Sequence, residues 1–244
     1  MNVLDVKKLV AGYGKLAIIR DVSVVLNSGE TLAVIGPNGS GKSTFAKSVI
    51  GFTTIFSGSI LFDGKDVTYT SPEKRVRMGI GYLPQTQNVF PDLTVEENIE
   101  MGGYSLKKPE LRNRMREVLE MFPELVERLK QKAGTMSGGE RQMLAMARLL
   151  MTSPRLIIVD EPSAGLSPKM VDRIYEKIDF LRREKVTMIL IEQHALKALR
   201  HSDRTIVMVG GRIVLEGPSV DVRTVDLGSI FFQPVQTDVA QQTI

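Results

Sequence analysis

Residues Thr31–Gly51 read TLAVIGPNGSGKSTFAKSVIG. The first five are apolar apart from Thr31 and show no polar face, the mark of a strand buried on both sides. Gly36-Pro37-Asn38-Gly39-Ser40-Gly41-Lys42-Ser43-Thr44 then fits G-x-x-x-x-G-K-[ST] in full. Glycines in such a loop let successive N–H groups wrap a phosphate chain. Lys42 supplies a mobile charge for the outer phosphates, and Ser43 can place its hydroxyl on Mg²⁺. The alternative, a Gly-rich turn that merely resembles the motif, lacks a reason for both flanks to be correct. A strand stands before the loop and the helical run TFAKSVI follows it.

Leu156-Ile157-Ile158-Val159-Asp160-Glu161 repeats the logic further along: an apolar strand ending in two carboxylates. Strand ends on the C-terminal edge of an α/β sheet are where ligands bind. Beside a phosphate loop, Asp160 is placed for the Mg²⁺ shell and Glu161 for orienting or deprotonating an attacking water. Alone, the pair could equally cap a strand or face surface cations.

A third stretch, Met136–Met143 (MSGGERQM), opens a good helix, LAMARLLM, on two glycines. Each costs about 1 kcal/mol relative to Ala inside a helix. Ser137 and Glu140 fit a capping box. A capping box does not explain the glycines, because it tolerates good helix formers between its two ends. A helix N-terminus without Cβ atoms in the way is also an anion site. This stretch alone leaves both readings open.

The rest of the chain frames these motifs. It has 244 residues, 43% hydrophobic and 25% charged, with formal net charge +4 and no cysteine. That excludes disulfides and thiolate metal sites, and the mild charge is no nucleic-acid signature. The basic stretch Lys107, Lys108, Arg112, Arg114 and Arg116 is mixed with Glu110 and Glu117, as on a solvated helix face. No apolar run reaches membrane-spanning length, and the charged N-terminal stretch does not fit a signal peptide. Strands are expected over residues 1 to about 35, with a hairpin at Asp63-Gly64. A helical character runs from about 73 to 152, with capping-box patterns at Thr94–Glu97 and Ser137–Glu140. Strands resume at 156–160, 188–193 and 205–209, and Gly210-Gly211 turns the last into RIVLEG. The expected fold is α/β: a phosphate-loop NTPase core with a mainly parallel sheet, an N-terminal antiparallel β subdomain and a helical insertion. Residues 1–220 read as a single domain with the insertion at about 73–152, and 221–244 as an extension. In that extension Ile230-Phe231-Phe232 are expected to dock on the body and the part after Pro234 to be loose.

In this order, a phosphate loop, SGGE and a strand ending in Asp-Glu, the sequence resembles the ATP-binding cassette (ABC) ATPases over about residues 3 to 220. Met136-Ser137-Gly138-Gly139-Glu140 is similar to that family's signature LSGGQ. The resemblance implies that Ser137, Gly138, Gly139 and Glu140 meet ATP held on the phosphate loop of a second ABC ATPase subunit, in a head-to-tail pair. It implies an adenine-stacking role for Tyr13, a role for Gln85 at Mg²⁺ and the attacking water, and the part of switch histidine at the γ-phosphate for His194. His201 has no such context. One departure stands out: Ser167 occupies the place of the family's usual aspartate in Ser163-Ala164-Gly165-Leu166-Ser167, at the expected subunit interface.

NVFPDLTVEENIEMGGY, DEPSAGLSP and GRIVLEG are most similar to ATPases of branched-chain amino-acid importers. The implied partners are transmembrane permease subunits, a second ATPase (like or unlike) and, indirectly, an extracytoplasmic substrate-binding protein. The implied place is the cytoplasmic face of the cell membrane. Val89, Phe90 and Leu93 would line the groove that receives the permease. The rival expectations are the ATPase of a lipid-type exporter and a soluble ABC protein acting on ribosomes or DNA.

Overall fold

The computed structural model describes residues 2–86 and 88–231. Two sheets share the chain. The first is antiparallel, in the order β2-β1-β4-β5, from β1 (Asn2–Tyr13), β2 (Leu16–Asn27), β4 (Thr54–Phe62) and β5 (Lys65–Asp66). The second has six strands in the order β10-β9-β3-β8-β7-β6. They are β3 (Thr31–Ile35), β6 (Ile80–Leu83), β7 (Leu156–Asp160), β8 (Thr187–Glu192), β9 (Arg204–Val209) and β10 (Arg212–Pro218). Only β10 runs antiparallel to its neighbour. The two hairpins marked by glycine form as expected: Phe62 faces Lys65 around Asp63-Gly64, and Val209 faces Arg212 around Gly210-Gly211.

Every residue of β3, β7 and β8 is buried, because both faces of this sheet are covered, one by the antiparallel sheet and a helix and the other by helices alone. Alternation sorts their side chains. Leu32, Val34, Ile158, Ile189 and Ile191 pack with the antiparallel sheet and α1 (Lys42–Ile50). Ile157, Val159, Met188 and Leu190 pack with the helices on the other side. Those are α3 (Val95–Gly102), α4 (Lys108–Met121), α5 (Gly138–Leu150) and α6 (Pro168–Arg183). In α6, Val171, Ile174, Tyr175, Ile178 and Leu181 recur at helical spacing and form its buried stripe.

The helical character expected from about 73 needs correction at its start. After the short helix α2 (Pro72–Arg77), β6 lies in the main sheet, parallel to β7. Four residues including Gly81 are too short to carry a strand period in sequence, and their pairing partner is 76 residues away. The run after Pro123 is a 3₁₀ segment, Pro123–Arg128, not an α-helix. Both capping boxes form as read, at Thr94/Glu97 and Ser137/Glu140.

α7 (Ala195–Arg200), α8 (Ser219–Val222) and α9 (Leu227–Phe231) complete the described chain. Ile230 and Phe231 pack against a small cluster of Ile35, Leu199, Val207 and Val222. Phe232 and the stretch after Pro234 lie outside the described residues.

Candidate nucleotide site

Register decides which residues meet. Ile35 pairs with Glu192, and Asp160 with Ile191. Leu83 pairs with Val159. The C-terminal ends of β3, β6, β7 and β8 therefore lie on one edge. There the phosphate loop, Gln85, Glu161 and Gln193 emerge together. They wall a cleft of about 580 Å³, lined by Tyr13, Ile18, residues 38–44, Gln85, Glu161 and Gln193.

Two glycines make the loop possible. A Cβ on Gly36 would lie 2.1 Å from Met208 O, and one on Gly41 2.8 Å from Ile19 Cγ2, at φ angles of 155° and 100°. Gly41 caps α1, whose first turn carries Lys42, Ser43 and Thr44. Lys42 is 4% exposed; its Nζ donates to Gly36 O (2.9 Å) and Pro37 O (3.0 Å). Burial lowers its pKa, against the opposing pull of Glu161, Asp160 and Glu192. Ser40 Oγ is buried and has no hydrogen-bond partner among the described residues.

Opposite the loop, Ser43 Oγ donates to Asp160 Oδ1 at 3.1 Å and Tyr82 OH to Asp160 Oδ2 at 3.0 Å. Burial raises the Asp160 pKa, although both hydrogen bonds oppose it. Burial and the Asp160 carboxylate push the Tyr82 phenol up as well. Glu161 sits at φ 46°, a left-handed conformation rare for a residue with a side chain, held by its N–H donating to Ile191 O. Its pKa is raised, first by burial. Gln85 Nε2 donates to its Oε2 at 2.9 Å.

The residues expected on the nucleotide thus converge, with two differences. The cleft wall carries Gln193, whereas His194 lines a neighbouring cavity with Ser163, Leu166 and Leu196. His194 follows Gln193 in the two-residue link between β8 and α7, and its charge acts on Glu161 as well. Tyr82 is the second residue that sequence missed. Nothing in GYLPQ marks its hydroxyl until β6 is laid beside β7.

Ser137, Gly138, Gly139 and Glu140 are not among the residues lining this cleft. Ser137 N donates to Glu140 Oε2 (2.8 Å), Glu140 N to Ser137 Oγ (3.4 Å), and Arg128 Nη2 lies 2.9 Å from Glu140 Oε1. The backbone bond from Ser137 is the main cause that lowers the Glu140 pKa. The two glycines differ. Gly138 is exposed, and a Cβ there would meet only Leu166 Cδ2, at 3.3 Å. Gly139 is buried, and its Cβ would lie 2.8 Å from Met170 Cβ and Cγ. Close packing of α5 on α6 leaves no room for a Cβ at Gly139, whereas Gly138 is exposed.

Fold and cleft together define a phosphate-loop nucleotide-binding protein. Comparison with known proteins narrows the class. The ABC transporter family pattern matches residues 19–164. The chain is 46% identical over 211 residues to a probable branched-chain amino acid transport ATP-binding protein, LivF, of Archaeoglobus fulgidus, covering 86% of this chain and 89% of that one. It is 45% identical over 212 residues to the high-affinity branched-chain amino acid transport ATP-binding protein BraG of Pseudomonas aeruginosa, covering 87% and 91%. Its structure resembles the ADP conformation of an ATP-binding cassette of an ABC transporter, with TM-score 0.83 and 28% identity over 92% of this chain and 94% of that one. The chain belongs to the ABC transporter family, as an ATP-binding subunit of the ABC ATPase fold.

Proposed function

We propose that this chain is the Mg²⁺-dependent ATPase of an importer of branched-chain amino acids. One observation carries the ATPase reading: Ser43 meets Asp160, and Gln85 meets Glu161, on the wall of one phosphate-loop cleft. The substrate class rests on the likeness to the two transport subunits from Archaeoglobus and Pseudomonas.

The loop's backbone, the unpartnered Ser40 hydroxyl and Lys42 suit a triphosphate. The donor set also fits Mg²⁺. The described residues hold no cluster of three or more His, Cys, Asp or Glu, but Ser43 and Asp160 stand side by side. Magnesium is commonly held by one or two protein oxygens with the substrate's phosphates and water completing the shell. Ser43, Asp160 and Gln85 are the residues that would hold it, and the bound ion supplies charge neutralisation on the phosphate oxygens.

Glu161 takes the proton of the attacking water on its carboxylate. Its raised pKa makes it a stronger base than an exposed glutamate, the Gln85 amide fixes one of its oxygens, and the residue lines the cleft. Lys42 binds the outer phosphates, and Tyr13, 44% exposed at the cleft mouth, offers its ring to the adenine.

Ser137, Gly138, Gly139 and Glu140, presented outside the chain's own cleft, meet the nucleotide of a second ATPase subunit head to tail. Loss of the γ-phosphate would then loosen the pair. Permease subunits dock on the insertion near Val89, Phe90 and Leu93. Phe90 is 44% exposed under the Arg148 guanidinium, while Val89 packs inward. Among the described residues no helix is long and apolar enough to cross a membrane. By likeness to the transport subunits, the permeases carry the path and this subunit works at the cytoplasmic face. An extracytoplasmic binding protein delivers the substrate.

The test is co-purification of the tagged chain from gently solubilised membranes, followed by ATP-dependent leucine uptake into vesicles. Two multi-span permeases and leucine uptake are expected. Recovery of a lipid exporter's membrane subunits would overturn the import reading while leaving the ATPase reading standing.

A further inference from the structure

β8 ends on a carboxylate. Glu192 is 1% exposed, and every donor it meets is neutral. Its Oε1 accepts from Ser163 Oγ and from Tyr175 OH, both at 2.8 Å, and its Oε2 from the His194 N–H at 3.4 Å. A buried carboxylate without a cation is costly unless donors fill its lone pairs. Packing alone would be served better by an apolar side chain, so the charge calls for another reason.

Three segments meet at this group. Tyr175 is buried on α6, with its ring 4.5 Å from that of His201. Burial, and then the Glu192 charge, push its phenol up, so it remains a donor. Ser163 is buried in the turn after Glu161, where Ala164 N donates to Glu161 O at 3.2 Å. Pro162 has no hydrogen-bonding side chain, so Ser163 is the first residue after Glu161 that can anchor the turn through one. The third segment is β8 itself, whose Ile191 O accepts from the Glu161 N–H at 2.9 Å.

Glu161 is therefore held from both sides. Its own N–H is tied to the residue before Glu192, and the turn that follows is tied to the Glu192 carboxylate. Its φ of 46° makes such holding necessary, because a left-handed conformation persists only where its surroundings over-determine it. Gln85 holds the Glu161 side chain but not its backbone.

We propose that Glu192 is a positioning residue for hydrolysis: through Ser163 Oγ it fixes the turn that keeps Glu161 in its left-handed conformation on the cleft wall. The proposal rests on the ATPase reading above and deepens it. Tyr175 acts at one remove, by holding the carboxylate against Ser163. Glu192 itself takes no proton and touches no nucleotide.

The test is a mutant cycle built on Glu161 in the full-length chain. Ser163→Ala deletes the anchor, Ser163→Thr keeps its hydroxyl, and Glu192→Ala deletes the acceptor. Each is made in the wild type and in Glu161→Gln. Release of labelled phosphate, mant-ATP affinity and the thermal midpoint are measured. In the wild-type background Ser163→Ala and Glu192→Ala should each lower kcat by about 10–100-fold, the scale of a small misplacement of a reacting group, with mant-ATP affinity kept. Ser163→Thr should recover most of that loss. In Glu161→Gln no base is left to position, so the same substitutions should change the residual rate by less than about threefold, as expected of residues that act as a unit. Equal losses in both backgrounds overturn the proposal, because the network would then serve the fold or the pairing of subunits. So does a Ser163→Ala protein with wild-type kcat. If Glu192→Ala does not fold, the two Ser163 variants decide alone. A Glu161→Gln protein with wild-type turnover, or a wild type that neither binds mant-ATP nor releases phosphate, overturns the ATPase reading itself, and this proposal with it.

Discussion

Gln85 Nε2 donates to Glu161 Oε2 across 2.9 Å, joining the loop after β6 to the residue after β7. The two are 76 residues apart in sequence. This contact holds one carboxylate oxygen while Gln85 leads directly into the helical insertion.

Glu161→Gln removes the base but preserves shape. Phosphate release is expected to fall by about 10²–10⁴-fold, the range of a general base. Mg²⁺-dependent mant-ATP binding should persist, and with hydrolysis blocked the head-to-tail pair should accumulate in light scattering. A variant with wild-type turnover would remove Glu161 from its role.

The two signature glycines predict opposite phenotypes. Gly139→Ala places a Cβ against Met170 and should destabilise the fold by about 1–3 kcal/mol, as overpacking does. Met170→Ala in the same chain should restore part of it. Gly138→Ala meets only a flexible leucine end, so stability in urea should be unchanged or slightly higher. Its loss should appear in turnover instead. Equal destabilisation by both would show that neither glycine is kept for a ligand.

Arg75 is 1% exposed and has no acidic hydrogen-bond partner among the described residues. Its guanidinium donates to Ser48 O and Val49 O at 2.7 Å, to Thr68 O at 2.9 Å and to Thr70 O at 3.0 Å. The first two carbonyls close the C-terminus of α1, where a cation also complements the helix dipole. Burial depresses its pKa to about 10. Arg75→Met would leave these carbonyls without their donor and should cost about 3–5 kcal/mol, the range for breaking a buried charged network. Because α1 carries Lys42 and Ser43, nucleotide affinity should fall with stability. Urea unfolding and mant-ATP titration on one preparation would check both.

Asp160 should make the nucleotide-free protein less stable as pH rises. Its folded pKa is raised by burial, so the folded state binds its proton more tightly than the unfolded chain does. Stability from this group is complete below the ordinary aspartate range and is lost as pH rises through the raised value. Asp160→Asn should flatten that slope and raise the thermal midpoint at pH 7, by about 2–4 °C for each kcal/mol recovered. It should also abolish the Mg²⁺ dependence of nucleotide binding. Thermal scans from pH 4 to 8 would check the slope, and an unchanged slope in the variant would assign it to another group.

The sequence by itself determined what is written in short, continuous stretches. The phosphate loop, the strand ending in Asp160-Glu161, both capping boxes and both glycine-marked hairpins were legible, because each depends on residues a few positions apart. Only the tertiary structure decided matters that depend on pairing between distant segments. It placed β6 in the main sheet, set the Tyr82 hydroxyl on Asp160 across 78 residues, and gave Gly139 a neighbour in Met170. It also put Gln193 on the cleft wall and His194 in the neighbouring cavity, because the course of the chain between β8 and α7 follows from the pairing of β8 with β3 and β7 and leaves no local mark in the sequence.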